Sequence, residues 1–392
     1  MAIIPRAISP VFMKMLSQYP VVTLTGPRQC GKTTLAKYLL PGWNYVNMES
    51  PSARREFEDD PEGFMMRYAA PCIFDEVQNV PELPSRIQVA VDESGKVGQY
   101  VLTGSYQAAL RRSVAQSLAG RTAILRLLPL SIAELKAAGI EMTRDELLLR
   151  GLMPRLFGTE NTDIDPYGYY DSYYQTYVER DVLSILSLRS LGAFDKFLRL
   201  LAGRVGQEVS LASLSNDIGV SRTTLAEWLS ILIACYVIYP LEPYSNNPGK
   251  RVIKTPKLYF TEPGLAAYLL KIHRPEHVEA HPLIGHLFEN LVVSEILKGK
   301  YNTASPADLY FYRDKSKLEV DLLLDRGNSL TPIEIKSAYT PNGKFSDNIS
   351  TFRKHFPTAD KGAVIYSGDT HPGGPQHVDW YNFADSARLL QS

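Results

Sequence analysis

The stretch "VVTLTGPRQCGKTT", Val21 to Thr34, decides how the rest of the chain is read. A β-branched run from Val21 to Thr25 delivers the chain into Gly26, four intervening residues, Gly31, Lys32 and Thr33, and "LAKYLL" then carries a helical pattern away. Strand, glycine-bearing loop and helix in that order form the phosphate-loop pattern. The glycines let backbone N–H groups turn inward round a β-phosphate, the lysine reaches the β and γ oxygens, and the following hydroxyl ligates Mg²⁺. The helix N-terminus adds a favourable potential for an anion. Gly26, Pro27, Arg28, Gln29, Cys30, Gly31, Lys32, Thr33 and Thr34 are therefore the expected nucleotide-binding residues, with ATP and Mg²⁺ as the ligands. The Cys30 thiol reads as adventitious.

A nucleotide site also needs a second strand that presents carboxylates. "PCIFDEVQNVP", residues 71 to 81, supplies an apolar run that ends in Asp75 and Glu76. Asp75 is expected to hold Mg²⁺ and Glu76 to polarise the attacking water. A third strand, "QYVLTGS", ends at Thr103, the candidate γ-phosphate sensor, with Ser105 in reserve. Arg121, in "SLAGRTAILRLLPLS", is the arginine expected to stabilise transition-state charge in its own or a neighbouring subunit, ahead of Arg111 and Arg112. Lys32, Glu76, Thr103 and Arg121 are thus the candidate catalytic set.

Composition bounds the rest. A chain of 392 residues with 45% hydrophobic and 21% charged residues is globular, and its length predicts about two to four domains. Lys plus Arg number 42, equal to Asp plus Glu, so contact with nucleic acid has to come from local patches. Cys30, Cys72 and Cys235 lack metal-ligand spacing and suit a reducing compartment. No apolar stretch reaches membrane-spanning length, and "MAIIPRAISP" is too short and proline-broken for a signal peptide. A cytoplasmic protein with no membrane partner is expected.

"TGPRQCGKTTL", "IFDEVQNVP", "VLTGS" and "LAGRTAILRLLPLS", followed by "YYQTYVERDV" at 173 to 182, resemble the bacterial and archaeal AAA-type ATPases whose C-terminal half is catalogued as a domain of unknown function. The resemblance covers most of the chain. It implies an α/β fold with a parallel-sheet P-loop core and a role for Arg180 and Asp181 in structure or between subunits. AAA-type sites are commonly completed across subunit interfaces, so a homo-oligomer is also expected.

Beyond the core, "DPYGYYDSYYQTYVERDVLSIL" is helical and tyrosine-rich. Packing of the rings is the plain explanation and stacking on bases the alternative. In "VSLASLSNDIGVSRTTLAEWLSIL", Gly219 turns between two short helices and Ser221 caps the second, a helix-turn-helix pattern. "YSNNPGKRVIKTPK" follows as a wing that carries Lys250, Arg251, Lys254 and Lys257. Glu227 sits where a DNA groove would repel it. His273, His277, His281 and His286 are separated by Pro275 and Pro282 and read as a surface linker.

The last region carries a helix, "HLFENLVVSEILK", with an amphipathic pattern and Glu289 at its apolar border, then the strands "LEVDLLLD" and "TPIEIKSAYT". Period-two alternation puts Glu319 and Asp321 on one face, and likewise Glu334 and Lys336. Helix-Glu, strand-Asp and strand-Glu-x-Lys in that order resemble the restriction-endonuclease-like fold, so Glu289, Asp321, Glu334 and Lys336 are the expected residues of a second metal site.

The division expected is residues 1–145 as the ATPase core, 146–204 as a helical lid, 205–274 as a winged helix and 275–392 as the nuclease-like α/β domain. The function expected is ATP binding and hydrolysis acting on DNA, branched or single-stranded forms included. A nucleotide-controlled regulator or scaffold for protein partners, and an ATP-gated metal-dependent nuclease, are the competing hypotheses.

Overall fold

The β-branched run that enters the glycine loop, threonines included, is covered on both faces. The computed structural model describes residues 3–105, 117–158, 164–177, 191–245, 255–373 and 378–390. Contacts group the chain into two units, Ala2–Leu130 with Tyr301–Ala304, and Ser131–Lys300 with Ser305–Ser392.

In the first unit, β1 (Val21–Thr25), β2 (Asn44–Asn47), β3 (Cys72–Asp75), β4 (Tyr100–Gly104) and β5 (Thr122–Arg126) form a parallel sheet in the order β2-β3-β4-β1-β5. All five β1 residues are buried, as parallel strands covered on both faces require. Alternation sends Val22, Leu24, Ile73, Val101 and Leu125 to one face, against Phe12 of α1 (Ser9–Leu16) and Leu35 of α2 (Lys32–Leu39). Phe74 and Leu102 go to the other face, against Phe57 of α3 (Pro51–Asp59), Phe64 of α4 (Pro61–Arg67) and Ile87 of α5 (Leu83–Ser94). The strand that carries Thr103 therefore lies between the loop strand and the acid strand, as the motifs imply.

The second unit holds an eight-stranded sheet in the order β13-β12-β11-β10-β9-β7-β8-β6. Its strands are β6 (Gln207–Glu208), β7 (Ile238–Pro243), β8 (Lys257–Phe260), β9 (Asp308–Arg313), β10 (Glu319–Asp325), β11 (Leu330–Lys336), β12 (Ala363–Tyr366) and β13 (Asp379–Asn382). The helices Leu211–Ile218 and Arg222–Ala234 turn at Gly219, which is left-handed with φ 79°. Ser221 caps the second helix by accepting from Thr224 N at 3.1 Å, and Trp228 packs edge-on against Phe194 and Phe197.

Several expectations change here. The division between units falls at Leu130/Ser131 instead of 145/146, which would cut the helix Arg144–Arg150. β7 pairs in parallel with β9 through Glu242–Tyr310 and Pro243–Phe311, so strands on either side of the 274/275 line share one sheet. The helix Ile284–Thr303 is not amphipathic: residues Leu287 to Lys298 are all buried. Its polar groups have internal partners, Asn290 with the Phe260 backbone and Lys298 with Glu295. Tyr169, Tyr170, Tyr173 and Tyr177 are buried and packed on one another, and buried Tyr174 packs on Tyr268, as the packing explanation requires. His277 and His286 lie on helices instead of a linker. Lys257 is buried and is not a wing cation. Arg111, Arg112, Arg180, Asp181, Lys250, Arg251 and Lys254 fall outside the described residues.

Phe74 stacks between Phe64 and Tyr100 at ring separations of 6.1 and 5.9 Å. Phe74→Ala is expected to destabilise the first unit by about 3–5 kcal/mol. The check is the denaturant midpoint of the transition that loses protection of the β1 amides.

Candidate functional site

The glycine loop is shaped by what it must avoid. A Cβ on Gly26 would lie 1.9 Å from the Leu127 carbonyl oxygen, so only glycine fits the turn out of β1. Gly31 opens α2 at φ 96°, and no side chain caps that end. Arg6, which carries no sequence signal, donates to the carbonyls of Cys30 at 2.7 Å and Leu128 at 2.6 Å, tying the loop to the segment after β5. The Cys30 thiol contacts the Leu127 carbonyl at 3.3 Å, and burial pushes its pKa up, which keeps it an inert packing group. Lys32 is buried and donates to the Gly26 and Pro27 carbonyls at 3.0 and 2.8 Å, so its amine lies within the curve of the loop. Gln29 is left-handed at φ 61°. Arg28 makes an exposed ion pair with Glu49, and Thr34 is exposed.

The acids converge on this loop. Asp75 accepts from the Thr33 hydroxyl at 2.8 and 3.0 Å, from the Tyr45 phenol at 2.9 Å and from the Thr103 hydroxyl. Because the Thr33 hydrogen is directed at Asp75, the hydroxyl lone pairs are left to a cation. An uncharged hydroxyl and a carboxylate are the hard oxygen donors that Mg²⁺ takes, so the residues present fit that ion. Glu76 is left-handed at φ 54°, its N–H donates to Thr103 Oγ1 at 3.2 Å, and its carboxylate accepts from Ser105 at 3.1 Å and from Gln78. Fully buried Thr103 therefore orders both acids, and Ser105 serves Glu76.

Arg121 is not beside this loop. Its carbonyl accepts from Val21 N, which places it at the amino end of β1 and β5, whereas the loop leaves the carboxyl end. The length of the five-residue strand, roughly 15 Å, separates them. Its guanidinium is held by Asp92 in a bidentate pair, at 2.5 and 2.8 Å. Sequence puts Arg121 just before its strand but did not reveal that this strand runs parallel to β1, which sends its amino end away from the loop.

In the second unit the expected metal residues separate into two ion-paired groups. A bulge between Val320 and Leu323 turns Asp321 towards β11, where it accepts from Ile335 N at 2.8 Å and Lys336 Nζ at 3.3 Å. Lys336 also pairs with Glu334 at 2.7 Å. Glu289 instead accepts from Lys257 at 3.0 Å and Tyr259 at 2.6 Å, and Lys257 reaches Glu319 at 2.8 Å. Ammonium groups thus sit among these acids, and among the described residues no group of three or more His, Cys, Asp or Glu side chains is arranged to hold a metal. Lys336 thus lies beside Asp321 and Glu334 as the expected set has it, while Glu289 is engaged by Lys257 instead.

Burial, followed by the Asp321 charge, raises the Glu334 pKa from its ordinary 4.5 to about 8, against the opposing pull of Lys336. Between those values the unfolded chain releases a proton that the folded chain keeps. The associated stability is therefore fully present below about 4.5 and lost as pH rises through about 8. Glu334→Gln is expected to flatten this decline, measured as melting temperature from pH 5 to 9. Parallel wild-type and variant profiles would refute it.

Among family profiles, residues 18–136 match an AAA domain, 142–276 match a domain of unknown function (DUF8612) and 284–381 match another (DUF4143). Uncharacterized proteins of Mycobacterium tuberculosis (Rv2008c) and Mycobacterium bovis (Mb2031c) are each 29% identical over 337 residues, covering 84% of this chain and 73% of theirs. Among solved structures, the Walker-type ATPase PABY2304 of Pyrococcus abyssi is 15% identical with a TM-score of 0.41, covering 67% of this chain and 94% of its own. AMPPCP-bound DnaA from Aquifex aeolicus is 16% identical with a TM-score of 0.29, covering 57% and 84%. No helix among the described residues is long and apolar enough to cross a membrane. The AAA match over residues 18–136, together with the parallel sheet and its loop, supports an AAA-type ATPase fold for that part of the chain.

Proposed function

We propose that the chain binds and hydrolyses ATP and uses the cycle to act on DNA. The observation that carries the ATPase part is the convergence of Thr33, Asp75, Glu76 and Thr103 on the mouth of the glycine loop. Lys32 would hold the β and γ oxygens, while Thr33 and Asp75 would hold Mg²⁺, which when bound offsets phosphate charge. Glu76 would orient the attacking water and accept its proton, and Thr103 keeps the two acids in register. A homo-oligomer accompanies this proposal.

The DNA part is supported by the helix pair turned at Gly219, which leaves Arg222 and Thr223 exposed at the start of the second helix. One feature of the same helix favours the regulator or scaffold alternative: Glu227 is exposed as well, and would repel a phosphate backbone. Against an ATP-gated nuclease stands the buried Lys257 ammonium, which occupies Glu289 and Glu319.

Glu76→Gln is expected to lower ATP turnover by about 10²–10⁴-fold with binding retained, and Lys32→Ala to abolish binding, both read by calorimetry and phosphate release. Turnover is expected to rise with single-stranded, duplex or branched DNA. DNA affinity is expected to fall linearly on a log scale with salt, and Arg222→Ala to make that slope shallower by about one unit. A flat salt dependence without stimulation by any DNA would favour the regulator.

A further inference from the structure

Tyr45 belongs neither to the loop nor to the acid strand. It lies on β2, paired with Ile73, 30 residues before the carboxylate it reaches. Its phenol donates to Asp75 Oδ2 at 2.9 Å, while Thr103 donates to Oδ1. The Thr33 hydroxyl lies within 3.0 Å of both oxygens. The ring is itself held in place: the Lys37 amine of α2 sits 3.3 Å from its centroid.

Two donors on opposite oxygens fix the plane of a carboxylate as one cannot. That plane decides whether Thr33 directs its hydrogen at Asp75 and its lone pairs outward. We infer that Tyr45 is a positioning residue for the nucleotide-associated divalent cation, acting through the orientation of Asp75. The inference rests on the ATPase proposal and goes beyond it by assigning cation affinity to a residue outside the motifs. A merely structural tyrosine would affect folding or nucleotide affinity generally. A positioning tyrosine affects the cation requirement and leaves metal-free nucleotide binding alone, because the phosphate seat is residues 26–34.

The test uses the full chain with Tyr45→Phe, which keeps the ring and its stack with Lys37. ATP turnover is titrated with Mg²⁺ at fixed ATP, and ADP affinity and melting temperature are measured in EDTA. The expected result is a half-saturating Mg²⁺ concentration raised about tenfold, the size of a lost hydrogen bond to a charged group. Maximal turnover in excess Mg²⁺ and ADP affinity in EDTA are expected to stay within about twofold of wild type. Superimposable Mg²⁺ titrations in a chain that hydrolyses ATP would overturn this inference alone. A lowered melting temperature with lost ADP affinity in EDTA would also overturn it, since the residue would then be structural. If wild type neither binds ADP nor turns over ATP, the inference falls together with the ATPase proposal.

Discussion

The geometry of the first unit depends on one buried carboxylate, Asp75, and on the hydroxyls of Thr33, Tyr45 and Thr103 that address it. They come from α2, β2 and β4 and meet at the carboxyl ends of neighbouring parallel strands. Parallel pairing makes this meeting possible, because every strand ends at the same edge and each loop that follows starts there. The strand order places β4 between β1 and β3, so the hydroxyl of Thr103 lies between loop and acids instead of at a flank. Gly26 then allows the loop to turn hard against Leu127, bringing Lys32 into its curve.

What could be read from the sequence was what is local. The glycine loop and the apolar strand ending in Asp75 and Glu76 are contiguous signals, and the capped helix after Ser221 is another. Arg6 and Tyr45 were invisible, and Lys257 was misread as a wing cation, for the opposite reason: their partners lie 24, 30 and 32 residues away. Arg121 was misplaced because its position just before a strand does not reveal that the strand runs parallel to β1, with its amino end away from the loop. The helix Ile284–Thr303 was misread because period analysis equates a polar residue with water. Glu289, Glu295 and Lys298 are polar, yet their partners are other protein groups.

Continuity of the second sheet explains why Glu289 has the partners it does. With β7 joined to β9, β8 comes to carry Lys257 and Tyr259 to Glu289 while Lys257 also reaches Glu319 of β10. Removing either partner would leave a buried charge uncompensated, a larger loss than the pair's net contribution. The bulge at Asp321 does the complementary work on the next strands, turning that acid to Lys336 and the Ile335 amide.

The two units thus treat similar acids in opposite ways, and the chemistry of the donors accounts for the difference. Hydroxyls orient a carboxylate without cancelling its charge, so Asp75 presents a fixed, negative face to a cation. An ammonium both orients and neutralises, so the acids round Lys336 and Lys257 have their counter-charge built into the chain. For a divalent ion to bind at Glu289 and Glu319, the Lys257 amine must first move and be solvated elsewhere. Neutral donors round an acid leave its charge in place, while charged donors in the same positions supply part of the counter-charge from the chain itself.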